Sequence, residues 1–309
     1  MYGSHQHSKA LSPVILVPIT LFMAVLMNVP VMMSADATLA EKILTLTYTI
    51  LMTTAATFAA NNIGIYKNNN FITPFYMFLI GGVLGYNTGY WQGFVISALL
   101  LTAWYSSIIV NKHKGYEWNA IDASICICLA SLFNGYILIL LPVMIVGFAI
   151  YGRLNARTLL ATLLGGAMIY GASWGGAFIL GKDCEFLSYM KSVMTWEGFS
   201  QLRIMDIIIC SLIAFYVILS YILFMANRYS NNPTYIRKAM QFSYLTLLTS
   251  VSIALLFGRA ETLVPFICVM TSILLTRRTD SMQNKAGVTL LYIITTLLIL
   301  LFIAKNFLF

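Results

Sequence analysis

The 33 residues from Asn119 to Tyr151 contain one charged side chain, Asp122, and are bounded by Trp118 and Arg153. A helix of that length runs about 50 Å, whereas the hydrocarbon core of a bilayer is roughly 30 Å thick. The stretch is therefore one steeply tilted span or two short ones. Asn134-Gly135 stands at its centre, and both residues tolerate the backbone angles of a tight reversal. The choice decides the side to which every later loop belongs.

The 309 residues are 60% hydrophobic and 9% charged, with a mean hydropathy of +0.85. No soluble core could bury that much apolar surface, and no segment is polar enough to form a separate soluble domain. The expected fold is all-α, a polytopic transmembrane bundle forming a single integral membrane domain over residues 1–309. A net charge of +8 in a soluble chain would point to nucleic acid. Here the basic residues sit in short connections between apolar runs, so no nucleic-acid partner is expected and the charge reads as topogenic.

Eleven runs qualify as spans: 11–33, 43–60, 71–84, 90–110, 121–133, 136–151, 159–180, 204–226, 242–257, 262–276 and 288–303. Several are short for a full crossing, so their ends extend into the interface or the segments are re-entrant. The first resembles a signal peptide with Ala35-Asp36-Ala37 as cleavage site, but its apolar run is long, which favours an uncleaved anchor over 11–33. If the central stretch crosses twice, twelve of the eighteen Lys and Arg fall on one side and six on the other. A single crossing erases that bias. The two-span reading puts the N-terminus in the cytoplasm and the C-terminus in the periplasm.

The connection after residue 180 is the longest on the outer side. Phe186, Leu187, Met190, Val193 and Met194 recur at helical spacing, which predicts an amphipathic helix over about 184–197. It either lies on the outer membrane surface or plugs the outer mouth of the bundle.

Glu41, Thr45, Thr49, Thr53, Thr57 and Asn61 recur every four residues. Such a row serves helix packing, each threonine satisfying its hydroxyl on its own backbone, or lines a substrate path. Gly171-Ala172-Ser173-Trp174-Gly175 has the form of a nucleophile elbow, which needs a strand-to-helix turn and a histidine base. It lies in an apolar run, and His5, His7 and His113 all fall outside the spans. Gly171 and Gly175 read instead as a small-residue packing face. Asp122 is expected in the first turn of its span, where a carboxylate caps free N–H groups. Arg203 with Asp206, and Arg259 with Glu261, are the weak candidates for an outer-face catalytic site. Cys126, Cys128, Cys184, Cys210 and Cys268 form neither a disulfide framework nor a zinc pattern, and no nucleotide-binding or metalloprotease motif occurs. No metal or cofactor is expected.

Between Asn61 and Gly171 the order of parts becomes specific. Lys67-Asn68-Asn69-Asn70 is followed by two spans and a charged connection. Ile121-Asp122-Ala123 and Leu129-Ala130-Ser131-Leu132-Phe133 come next, and Arg153 and Arg157 precede a glycine-containing span. This third of the chain resembles an uncharacterised family of polytopic inner-membrane proteins of Bacteroidota. The resemblance implies a bacterial inner-membrane location and transfers no catalytic residue. Some members carry a carotene-monooxygenase label, but this sequence has no histidine cluster for iron.

Two functions follow as expectations. One is envelope biogenesis on a lipid-linked or glycan substrate at the outer face, with membrane lipids as partners. The alternative is a small-solute permease, or a membrane assembly subunit without a site. A permease fits if the Asn134-Gly135 turn is sunk below the surface, because broken helices are where transporters bind substrate.

Overall fold

The computed structural model describes residues 38–65, 91–109, 115–195, 234–257 and 260–281, with isolated positions elsewhere. Among them the regular structure is all helical. The α-helices are α1 Leu39–Ile63, α2 Trp91–Ile108, α3 Gly115–Ser131, α4 Leu140–Ile150, α5 Ala156–Ile179, α6 Asp183–Val193, α7 Thr234–Phe257 and α8 Ala260–Ser281. A 3-10 turn, Gly135–Ile139, precedes α4. Seven of the eleven expected runs coincide with these helices. The other four, 11–33, 71–84, 204–226 and 288–303, lie outside the described residues apart from isolated positions. Two described helices, α1 with 25 residues and α7 with 24, are long and apolar enough to cross a membrane.

The chain divides into two compact units, residues 1–89 with 268–309 and residues 90–267. In the first, α1 opens on a capping box. Thr38 Oγ1 accepts from Glu41 N and the Glu41 carboxylate accepts from Thr38 N at 2.9 Å. This reciprocal pair satisfies two of the N–H groups that a helix start leaves bare. Gly64 ends the helix at φ 75°, a left-handed geometry that costs a side-chain-bearing residue roughly 1 kcal/mol or more. The buried Arg277 then donates to the carbonyl of Ile65 at 2.7 Å.

The second unit is built on the central stretch, which is a hairpin of two helices. Pro142 has no N–H to give to the carbonyl four residues back, so a helix could not run unbroken through it without losing a bond. In the first turn of α4 that missing donor costs nothing. Asn134 turns the chain, its side chain accepting from Tyr136 N at 3.2 Å. It is fully buried and donates to Thr262 Oγ1 at 2.8 Å.

α2 lies antiparallel to α3, so that Asn119 reaches the carbonyl of Ile109 and Trp91 packs edge-on against Phe133. α5 runs parallel to α3. Gly165 abuts Ile121 and Ser124, and Tyr170 shares a hydrogen bond with Ser131. Among the described residues, nothing lies within 4 Å of a Cβ added at Gly171 or Gly175, the expected packing face of α5. The close approach occurs six residues earlier, where a Cβ on Gly165 would stand 2.9 Å from the Ile121 carbonyl oxygen. On the other side of the hairpin, Phe242 of α7 fills the space above Gly147, and the buried Trp104 indole donates to Ser243 Oγ at 3.0 Å.

The expected amphipathic helix is α6, and it ends at Val193 rather than near 197. Its C-terminal end docks on the turn of the hairpin. Tyr189 Oη donates to the carbonyl of Leu132 at 2.9 Å, Tyr136 Oη donates to that of Met194 at 2.7 Å, and Met194 fills the notch left by Gly135. Leu187, Tyr189 and Met194 remain exposed.

Candidate functional site

Asp122 does not cap a helix. α3 begins at Gly115, with Glu117 as the acidic residue of its first turn, and Asp122 stands seven residues further along. At 1.5 Å per residue that is about 10 Å from the helix start. The expected span opens at residue 121, whereas the helix already runs from Gly115 through Tyr116, Glu117 and Trp118.

Positions 119, 122 and 126 of α3 fall on one face, and positions 102, 105, 106 and 109 of α2 on another, by the three- and four-residue steps of a helix. The antiparallel pairing brings the two faces together. They border a groove of about 410 Å³, open on one side, lined by Thr102, Tyr105, Ser106, Ile109, Asn119, Asp122, Ile125 and Cys126, with Thr102 and Asp122 exposed. Asp122 makes no ion pair among the described residues. The polar neighbours are held in place by the helices themselves: Thr102 Oγ1 donates to the Ala98 carbonyl at 2.8 Å, Ser106 Oγ to that of Thr102 at 2.5 Å, and Asn119 Nδ2 to that of Ile109. The spacing of these residues was readable in the sequence. Their meeting across two helices was not.

Arg153, which is 8% exposed, holds the C-terminal end of α2. Its Nη1 donates to the carbonyls of Ser107 and Ile108, the last two residues of α2. The guanidinium also lies over the rings of Tyr116 at 5.0 Å and Tyr151 at 4.6 Å. Burial pushes its pKa down from the ordinary arginine value, and Tyr116, Tyr151 and Tyr235 push it back up. An arginine is thus held without a carboxylate partner by a helix C-terminus, whose dipole favours a cation, and by aromatic faces.

The threonine row is buried and turned on itself. The hydroxyls of Thr45, Thr49, Thr53 and Thr57 donate to the carbonyls four residues back at 2.7–2.8 Å. Thr49 also accepts from Asn28 Nδ2 at 3.2 Å. Glu41, the first member of the row, belongs to the capping box. Of the outer candidates, Arg203, Asp206 and Arg259 lie outside the described residues, as does the side chain of Glu261.

Comparison with protein-family models, with curated proteins and with solved structures returns no match. The reading of function therefore stands on the geometry of this chain alone.

Proposed function

We propose that the chain is a multi-pass protein of the bacterial inner membrane that carries a small solute across it, in the manner of a permease. The carrying observation is Asp122, two turns along α3, exposed on an open groove between α2 and α3 and without an ion pair among the described residues. A carboxylate within a membrane-crossing helix is costly, up to about 2.5–3.5 kcal/mol at the helix centre on insertion scales, and persists where it serves an ion or substrate pathway. In this reading the Arg153 end of the hairpin faces the cytoplasm with the other basic connections, and α6 lies at the periplasmic surface, the N-terminus inside and the C-terminus outside.

The test is uptake into proteoliposomes holding the full-length protein, with small cations, anions, sugars and amino acids offered in turn. Uptake of one class, lost in Asp122→Asn at equal incorporation, is the expected result. Uptake of none of them, or full uptake by Asp122→Asn, removes the proposal. The outer-face step on a lipid-linked substrate has no described geometry behind it. Accumulation of one lipid-linked intermediate in cells lacking the gene would replace the permease reading with that one.

A further inference from the structure

We infer that the groove between α2 and α3 binds a small organic cation, a protonated amine on an apolar body. The inference takes its biological use from the permease reading and its chemistry from the groove alone. The argument is a count of donors and acceptors. Thr102 and Ser106 have each spent their one hydroxyl hydrogen on a backbone carbonyl, and Asn119 has spent one of its two amide hydrogens. What these groups still offer is mainly oxygen lone pairs, and Asp122 adds a carboxylate that accepts only. A ligand with several N–H donors and a positive charge satisfies such a surface. Among the described lining residues an anion meets the negative charge of Asp122 against one amide hydrogen, the Tyr105 hydroxyl and the weak Cys126 thiol donor.

Size and shape narrow the class. A volume of about 410 Å³ falls in the range of small-molecule sites, about 300–1,000 Å³, and far exceeds a bare metal ion. A hard divalent cation asks for about six to eight oxygens and more than one carboxylate in most sites. The Tyr105 ring and the Ile109 and Ile125 side chains line the same space, giving an apolar wall for the body of the amine and an aromatic one for its charge.

Cys126 lines the groove and Cys184 lies exposed on α6, so the wild-type chain carries its own reporter and its own control. The experiment measures N-ethylmaleimide labelling of each cysteine by peptide mass spectrometry, on full-length protein in detergent at pH 7. The probe is benzylamine, with benzoate, benzyl alcohol and sodium chloride as controls. Benzylamine should slow labelling of Cys126 saturably and leave Cys184 unchanged, and it should raise the thermal midpoint of the wild-type protein. Asp122→Asn should raise the half-protecting concentration at least about tenfold, as loss of a charge partner does. Asp122→Glu should keep most of the protection.

The site is overturned if benzylamine gives neither protection nor a midpoint shift in wild type. It is equally overturned if benzoate or benzyl alcohol protects as well, or if sodium chloride alone does. Because those results come from wild type, a misfolded Asp122→Asn does not weaken the test. Benzylamine binding without uptake of any solute keeps the site and removes the permease. Uptake of an anionic solute with Cys126 unprotected by benzylamine does the reverse.

Discussion

Arg153 lies over the ring of Tyr116, its guanidinium carbon 5.0 Å from the ring centre. One residue stands at the beginning of α3 and the other just after α4, so the contact closes the hairpin where it opens. Asn134 is buried at the far end, at the turn. The chain leaves and returns to one end, so the central stretch folds back on itself at Asn134-Gly135.

The clamp is strong because one guanidinium meets two carbonyls and two aromatic rings at once. Arg153→Ala would strip two helix-end carbonyls of their charged donor and empty the space between two tyrosines. Hydrogen bonds to charged groups contribute about 1.5–3 kcal/mol each and buried cation–aromatic contacts up to about 2, with imperfect additivity. A loss of roughly 2–4 kcal/mol is expected, measured as the unfolding midpoint in detergent with denaturant. Arg153→Lys should recover part of it, because an ammonium lacks the planar fork. An unchanged midpoint in Arg153→Ala would show that the clamp holds nothing.

Two glycine sites on α5 should respond in opposite directions. Gly165→Ala puts a methyl against the Ile121 carbonyl, backbone that cannot step aside, and overpacking of this kind costs about 1–3 kcal/mol. Gly171→Ala and Gly175→Ala meet open space among the described residues and gain up to about 1 kcal/mol of helix propensity each. Thermal midpoints of the three variants should therefore fall below wild type at 165 and stay level or rise at 171 and 175. The reverse order would mean that α5 packs through the second pair.

Much of this architecture could be read from residue order. Apolar runs of helical length, a turn dipeptide and the bias of the basic residues already imply the hairpin, and Thr38 with Glu41 three residues on is a capping box in plain view. What could not be read were long-range partners. Nothing in a sequence says that Arg153 will reach carbonyls 45 and 46 residues upstream, since every residue has a carbonyl. The same holds for Asn134 and Thr262, 128 residues apart. Asp122 looked like a cap because a charge near the edge of an apolar run is normally at a helix end. The turn Gly115–Trp118 extends the helix past that edge and leaves the carboxylate two turns along it, exposed.

The threonine row makes a prediction about what is not a substrate path. Each hydroxyl is already satisfied on its own helix, so an isosteric valine removes a bond that competed with nothing else. Thr45→Val, Thr53→Val and Thr57→Val together should change stability by about 1 kcal/mol or less per site and leave solute uptake intact. Thr49→Val should cost more, because Asn28 Nδ2 loses its acceptor there. Abolished uptake in the triple variant, with folding preserved, would put substrate back on α1.

The last prediction concerns α6. Its docked end depends on Tyr189 and Tyr136, whose hydroxyls bond backbone carbonyls across the junction, and on Met194 in the Gly135 notch. Each Tyr→Phe change removes one hydrogen bond worth about 0.5–1.5 kcal/mol, and the accepting carbonyl can turn to water at this exposed junction. Gly135→Ala instead expels Met194 by steric conflict, since the new Cβ would stand 2.6 Å from Met194 Cγ. Tyr189→Phe with Tyr136→Phe should therefore accelerate amide hydrogen exchange over 183–195 and leave α3 and α4 protected. Gly135→Ala should do the same more strongly, because it removes the packing as well as shifting the turn. Uniform protection in both variants would mean that α6 is held by contacts along its whole length, and that its docked end is incidental.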